Sequence, residues 1–267
     1  MKNRRVFYLK LLLVGMALAT AWAVRGQFGH EHGAAWAGAV GVITVIALSG
    51  QKNWYRRLPA IAAIGAVGWG AGGMMSYGMV VGYGRGLDFI NVSYGLLCLF
   101  LIGGLYGFLG GGLTGLSLEA SDEKKPDWGA LLAQMVAGAY LIWGMLIYQL
   151  EWFMTPPRSE LWAACLGAAL ALGWYAHRKG FSRSLKIALF AGLGAGFGFA
   201  FGNFLQVMGN NTRIDFNWWN VMEYSLGFFG GLGMAYGVFS VLWPEEKQLS
   251  PDKASNVFGW VFLVLLL

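Results

Sequence analysis

Long blocks that are almost free of charge constrain this chain more than any other feature. Between Leu9 and Val24 the only charged residue is Lys10. Blocks of the same kind follow at 34–50, 58–83, 89–118, 129–150, 161–176, 187–207 and 218–243. About 20 apolar residues are enough to cross a hydrocarbon core of about 30 Å as a helix. The pattern therefore predicts an all-α, polytopic transmembrane helical bundle.

The number of spans follows from the same blocks. Eight are predicted, at 9–28, 33–50, 58–82, 89–117, 129–151, 160–176, 186–208 and 217–243. A ninth opens near Asn256 and contains about a dozen residues, which at a rise of about 1.5 Å each are too few to cross the membrane. Either it lies in the interface or the chain is the front part of a longer one. We expect the second, with further C-terminal spans as one possible partner.

The placement of the basic residues predicts the topology. The net charge is +6, but the cations cluster before span 1 and after spans 2, 4 and 6. These segments fall on one side of the membrane, as the positive-inside rule requires of cytoplasmic loops. We therefore expect a multi-pass protein of a cell membrane, a bacterial inner membrane by preference, with a cytoplasmic N-terminus and no nucleic-acid partner. The N-terminus also resembles a secretory signal, but it fits the repeat described next and we expect it to be retained.

Similar segments recur at a shift of 126 residues. The glycines of "AVGWGAGG" at 66–73 return in "GLGAGFGF" at 192–199, and "RGLDFINVSYG" resembles "RIDFNWWNVMEYSLG". This favours a tandem repeat of four-helix units, 1–118 and 129–243, joined by a cytoplasmic linker at 119–128 and followed by a loop and further span at 244–267. Small residues at intervals of four let helices approach closely in a bilayer. The glycines therefore predict tight helix packing; the alternative is that they line a path or permit broken helices around a site.

Polar and ionisable residues gather in the turns at the predicted outer face. As a group they are candidates for a substrate-binding pocket: Arg25, His30, Glu31, His32, Arg85, Asp88, Glu151, Asn203, Arg213, Asp215 and Glu223. Glu223 is the strongest candidate, because an ionisable group inside an apolar span usually faces a partner or a wet cavity. A purely structural interpretation is that Asp88 and Asp215 cap the helices that follow them and that the aromatic residues form an interfacial belt.

Two finer hypotheses concern the first outer turn. The shift of 126 places Glu151 at the position of Arg25, which predicts an ion pair between the repeats. His30 and His32 are suitable metal ligands, but on a helix they diverge, and the chain has no second cluster of His or Cys. No metal is therefore assigned, and a pH-sensing or proton-relaying pair or a simple polar helix corner stays open.

The most favoured function is transport of a small polar solute, anionic or sugar-like, through a path between the repeats. Motifs for nucleophilic, metalloprotease, nucleotide or dinucleotide chemistry are absent from the sequence, and no cofactor is assigned. The alternatives are a membrane-embedded enzyme at the outer leaflet, with His30, Glu31, and Asp215 or Glu223 as acid–base groups, and a non-catalytic membrane subunit of a larger complex. Whether the protein is an enzyme is left open.

Overall fold

A computed structural model describes residues 2–25, 29–243 and 249–266, with the side chains of residues 2 and 3 excepted. Part of the first predicted outer turn, 26–28, and most of the loop that begins at 244 therefore lie outside the described residues. The described chain folds into eleven α-helices and one π-helical segment. The helices are α1 (Lys2–Val24), α2 (His30–Ser49), α3 (Lys52–Arg56), α4 (Leu58–Gly72), α5 (Gly78–Gly84), α6 (Phe89–Glu119), α7 (Trp128–Trp143), α8 (Leu161–Arg178), α9 (Ser182–Asn210), α10 (Trp218–Phe239) and α11 (Lys253–Leu265).

The helices agree with the predicted class of a helical membrane protein. Among the described residues, five helical stretches are long and apolar enough to cross a membrane: Arg4–Val24, His30–Ser49, Phe89–Glu119, Trp128–Gln149 and Ser182–Asn210. The fourth combines α7 with the π-helical segment Gly144–Gln149. α4 and α11 are apolar but shorter. The predicted count of eight spans remains a prediction.

Six helices pack as a closed ring. The contacts run from α6 to α9, then to α10, α1, α2 and α4, and from α4 back to α6. The other long elements lie outside the ring: α8 packs on α6, α7 packs on α8, and α11 packs on α4. The ring is the part of the fold that positions the candidate site.

Aromatic side chains fill the inside of the ring. Trp22, Trp69 and Tyr106 are fully buried, and their rings meet edge to face with centroids 5.2 to 5.4 Å apart. Glycines make room for the largest of these rings. A Cβ added at Gly38 or Gly110 would lie 2.5 Å from the side chain of Trp69. The interior of the ring is therefore packed with side chains at this level.

Glycines also set the distance between neighbouring helices, as predicted. A Cβ at Gly198 or Gly202 of α9 would meet the backbone of α10, and one at Gly103 or Gly107 of α6 would meet the backbone of α9. Close backbone approach gives each pair the extensive van der Waals contact on which helix association in a bilayer depends. The packing interpretation of the glycines is thus confirmed at these contacts.

The loops that carry the predicted cytoplasmic charge lie together at one end of the bundle, called here the basic end. Arg57 donates to the carbonyl oxygen of Ser117 at 2.8 Å, and Lys124 donates to that of Gly180 at 2.6 Å. The buried carboxylate of Glu119 accepts a hydrogen bond from the Ser184 backbone at 2.8 Å. These contacts tie three sequence-distant loops into one surface, whereas the side of the membrane on which it lies stays a prediction.

Two features depart from the expectations. The predicted third span is interrupted, because α4 ends at Gly72 and α5 begins only at Gly78. Its counterpart in the predicted second unit, α9, is continuous from Ser182 to Asn210. The broken-helix alternative is therefore correct for this span, and the tandem repeat remains a prediction without structural support.

Candidate functional site

A buried ion pair lies at the end of the bundle opposite to the basic end. Arg25, at the end of α1, donates through Nη2 to Glu223 Oε2 of α10 at 2.9 Å. Arg25 is 2% exposed and Glu223 is 5% exposed. An uncompensated charge in such surroundings is costly, whereas a hydrogen-bonded pair of opposite charges is tolerated. Each residue therefore supplies the partner that the other needs.

The interruption of the third span delivers a tyrosine to this pair. Tyr77 precedes α5 and is buried, and its hydroxyl accepts a hydrogen bond from Arg25 at 2.8 Å. The same hydroxyl donates to Glu223 Oε1 at 3.0 Å. If α4 continued without a break, the direction of the residue 77 side chain would be set by the helical periodicity of α4. The break between Gly72 and Gly78 frees it from that periodicity, and Tyr77 points into the cluster.

Trp219 completes the set of donors to the carboxylate. Its indole Nε1 donates to Glu223 Oε1 at 3.1 Å. Glu223 thus accepts hydrogen bonds from a guanidinium, a phenol and an indole. Charge-assisted hydrogen bonds of this kind stabilise the ionised carboxylate. A carboxylate offers about four acceptor sites, and three hydrogen bonds to it are formed here. The arrangement is therefore better suited to joining helices than to acid–base chemistry.

Two exposed cationic or titratable residues cover the cluster from the outside. The His30 ring stacks on Tyr77 with centroids 5.1 Å apart, and the Arg85 guanidinium lies 5.6 Å from the Trp219 ring. Neither makes a hydrogen bond to Glu223 in the part of the chain that the structure describes. The site is therefore layered, with the ion pair innermost, the two aromatic rings above it, and His30 and Arg85 at the surface.

The remaining candidates do not join this cluster. Glu31 and Arg213 are exposed, and the His32 ring nitrogen Nε2 lies 2.9 Å from the carbonyl oxygen of Leu266, which links α2 to α11. His30 and His32 diverge as expected for a helix. Asn203 is fully buried on α9, where its amide nitrogen lies 3.3 Å from Gln206 Oε1.

Helix capping accounts for part of the set. Asp88 accepts a hydrogen bond from the Asn91 backbone at 2.9 Å and caps α6, as predicted. The prediction that Asp215 caps α10 is wrong. Asn217 is the capping residue, and its side chain accepts from the Asn220 backbone at 3.2 Å. The physical reason is that α10 begins at Trp218, so the residue before it is in the capping position.

The predicted Arg25–Glu151 ion pair is also wrong. Glu223 is the carboxylate against Arg25, and Glu151 is exposed with a positive φ of 49° in the turn after α7. The buried carboxylate of that turn is Glu160, which accepts from the Thr155 backbone at 2.9 Å and from Trp162 Nε1 at 2.8 Å. Reasoning from the repeat misplaced the partner because α1 packs next to α10 in the ring, whereas α7, which leads to Glu151, packs on α8 outside the ring.

Tyr77 and Trp219 were missed at the sequence level. Tyr77 lies in "GGMMSYG", where adjacent glycines followed by a serine interrupt an apolar block. That composition is the signal that would have located a helix break. Trp219 lies four residues before Glu223, the spacing at which side chains meet on one face of a helix. A metal site is not indicated, since the described residues contain no group of three or more His, Cys, Asp or Glu side chains able to hold an ion.

The geometry defines a helical membrane protein whose buried polar cluster is closed by its own side chains. Residues 183–251 match a protein family described as "Photosynthesis affected mutant 68". The match covers most of α9, all of α10 and the segment that follows, which is well under half of the chain. No curated protein and no solved structure matches the chain.

Proposed function

We propose that this protein is a non-catalytic membrane subunit. It joins other membrane proteins through its outer helices, meaning the helices α7, α8 and α11 that lie outside the ring. The observation that carries the proposal is the closure of the Arg25–Glu223 pair. A transporter or an enzyme needs polar groups that reach a solute or substrate, but here both charged side chains are almost fully buried and bonded to each other.

The filled interior of the ring supports the same conclusion. Trp69 lies against α2 and α6 of the predicted first unit and against α10 of the predicted second unit, since a Cβ added at Gly38, Gly110 or Gly230 would lie within 3.2 Å of its side chain. Moving a solute through this level would require displacing fully buried aromatic rings, which are held on several sides by helix backbone. Transport, the function most favoured by the sequence, is therefore the weaker candidate.

The outer helices offer surface for partner helices. In an 18-residue apolar stretch of Trp128–Gln149, only 17% of the residues are buried within the chain. Leu132, Val136 and Tyr140 are spaced by four residues and form one exposed stripe along α7. Such a stripe is suited to packing against a partner transmembrane helix.

The family match supports the proposal and specifies where to test it. The description of the matching family concerns photosynthesis. A photosynthetic membrane is therefore the first membrane in which to look for a partner, in preference to a general bacterial inner membrane. The matched residues include α9 and α10, so they contain the helix that supplies Glu223.

Site-specific crosslinking tests the proposal. A photoreactive phenylalanine analogue replaces Tyr140 of α7, which is 74% exposed, and in a control variant it replaces Leu9 of α1, which is 54% exposed. We expect a crosslinked product of one defined mass from position 140 in native membranes and none from position 9. Lipid adducts alone at both positions would contradict the subunit proposal.

A second measurement distinguishes the transporter. The purified protein is reconstituted into sealed liposomes and assayed for uptake of sugars and organic anions. We expect no flux above that of protein-free liposomes. Uptake of one solute class above this background would overturn the proposal and restore transport as the function.

A further inference from the structure

A lateral groove of about 570 Å³ lies between α6, α8 and α9 on the outside of the ring. Its walls are apolar and include Phe108, Leu170 and Leu193. Trp174 and His177, in the last turns of α8, line the part of the groove nearest the basic end. The groove is separate from the Arg25–Glu223 cluster, which lies toward the opposite end of the bundle.

Glycines create this groove instead of closing it. A Cβ added at Gly104 would lie 3.7 Å from the nearest atom, and one at Gly173 would lie 3.4 Å from Phe108. Both positions have room for a side chain, unlike Gly107, whose Cβ would collide with the backbone at Ala191. The absence of side chains at 104 and 173 therefore leaves volume open and is not required for the approach of two helices.

The dimensions of the groove fit one leaflet of a bilayer. Its lining residues on α8 run from Leu166 to His177. At a rise of about 1.5 Å per residue this stretch is about 16 Å long. That is close to half of a hydrocarbon core of about 30 Å. An acyl chain of a lipid in the leaflet at the basic end has this length.

A lysine without a partner lies at the same end. Lys186 precedes the lining residues Leu189 and Leu193 by three and seven residues, so it lies on the same side of α9 about one turn nearer the basic end. It is half-buried and makes no hydrogen bond or ion pair with any residue that the structure describes. Lys124 and Arg183 at the basic end, in contrast, both contact the carboxylate of Glu119, at 3.2 and 3.9 Å.

His177 and Trp174 mark the level of a lipid head group. The two rings lie 6.4 Å apart, and both side chains are exposed. Tryptophan is enriched where hydrocarbon meets head groups, because its ring is apolar and its N–H is polar. Lys186 and His177 thus present an ammonium group and an imidazole to the region where a phosphate would lie.

We propose that this groove binds an anionic glycerophospholipid. An acyl chain lies along Gly104 and Gly173, and the phosphate contacts Lys186 and His177. Basic pockets between transmembrane helices recognise anionic head groups in this way. A second groove of about 750 Å³, between α4, α6, α7 and α11, is the internal comparison, since the described residues that line it include no Lys, Arg or His.

Native mass spectrometry of the full chain in detergent tests the proposal, with palmitoyl-oleoyl phosphatidylglycerol and the corresponding phosphatidylcholine as probes. We expect the wild-type protein to retain phosphatidylglycerol at least fivefold more strongly than phosphatidylcholine. Lys186→Gln should lower this preference about fivefold, which corresponds to the contribution of about 1 kcal/mol from one basic side chain near an anionic lipid. Lys179→Gln, an exposed lysine in the turn after α8, is the charge-matched control and should change nothing.

Filling the groove provides the second arm. Gly173→Leu should reduce retention of both lipids, whereas Gly82→Leu on α5, where an added Cβ meets nothing within 4 Å, should not. The melting temperature of each variant in detergent reports whether it is folded. Equal retention of the two lipids by the wild type, or unchanged phosphatidylglycerol retention in a folded Gly173→Leu variant, would overturn the proposal.

Discussion

The helices α6 and α7 are nearly equal in hydropathy but have opposite roles in the structure. In an 18-residue apolar stretch of α6, 67% of the residues are buried within the chain. In the corresponding stretch of α7 with its π-helical segment, 17% of the residues are buried. The difference is in glycine content and position. α6 carries eight glycines in 31 residues, whereas Trp128–Gln149 carries three in 22. Where lipid is as apolar as a side chain, small residues decide which helix faces are buried in protein.

The comparison extends to the polar residues. The ring interior contains an ion pair closed by tyrosine and tryptophan, while the outer helices carry exposed apolar side chains and open grooves. Substitutions in the ring should therefore lower the free energy of unfolding. Substitutions on the outer helices should instead weaken association with a partner protein. Three predictions test that contrast and a fourth concerns the basic end, and they are ordered by expected effect.

The largest effect is expected for Glu223→Gln. It leaves the Arg25 guanidinium buried without a counter-charge, and breaking a buried ion pair in this way costs about 3–5 kcal/mol. The free energy of unfolding, measured by denaturant titration in mixed micelles, should fall by that amount. The double variant Arg25→Met with Glu223→Leu should recover most of the loss, since it removes both charges together. A single variant as stable as the wild type would show that the pair is not buried.

The next largest effect is expected for Gly107→Ala. The added methyl group would collide with the carbonyl of Ala191 and push α6 away from α9. Overpacking of this kind costs about 1–3 kcal/mol. Gly82→Ala, at a position with open space, is the matched control and should be near neutral. Equal melting temperatures for the two variants would contradict the close approach of α6 and α9.

A smaller effect on folding is expected for Tyr140→Ala on α7. The side chain is 74% exposed, so the free energy of unfolding should change by no more than about 0.5 kcal/mol. Association should respond instead. With the photoreactive analogue placed at Val136, one turn earlier on the same exposed stripe, the Tyr140→Ala change should weaken the crosslink to the partner. Loss of stability without loss of crosslinking would place α7 among the buried helices and remove the contrast between the two regions.

The smallest effect is expected at the basic end, outside the spans. Ser250 donates its hydroxyl hydrogen to Asp122 at 2.7 Å, and this bond, with a backbone bond from Ser250 and the charge of Lys125, lowers the pKa of Asp122 from its ordinary value of 3.8. Since the pKa is lower in the folded chain, the stabilisation is present above pH 3.8 and is lost as the pH falls below it.

Hydrogen–deuterium exchange of the segment 249–256 measures that effect. At pH 7 the Asp122→Asn variant should exchange faster than the wild type. The difference should shrink as the pH falls below 3.8 and vanish once the pH has passed the lowered pKa of Asp122. Asp215→Asn, an exposed carboxylate at the opposite end, is the control and should leave exchange in this segment unchanged. A difference that persists in acid would show that the carboxylate charge is not what holds the loop.

Several local features could be predicted because their causes are local. The apolar blocks predicted the helices, and the spacing of glycines such as Gly103 and Gly198 predicted close helix contacts. Asp88 caps α6, as its position before an apolar block indicates. Glu223 could be selected as a buried carboxylate because ionisable groups are rare inside apolar spans. These inferences need only the neighbours along the chain and the properties of the solvent.

The partner of Glu223 could not be predicted in the same way. Arg25 is 198 residues away along the chain, and Tyr77 reaches the pair only because its span is broken. Inference from the repeat selected Glu151, since a sequence shift assumes that both halves pack alike. Which charges meet is decided by the order of helices around the ring, and that order depends on the sum of many helix contacts.

The sequence by itself determined the class of the protein, the approximate helices, the clustering of basic loops and one of the buried carboxylates, Glu223. These depend on hydropathy and on the cost of charge in hydrocarbon, which each segment carries in its own residues. The tertiary structure alone decided the Arg25–Glu223–Tyr77 contacts, the filled ring and the groove near Lys186. Those features depend on which glycine-bearing helix faces pack against each other. The faces belong to segments that are distant in sequence, so their pairing is decided only when the helices pack.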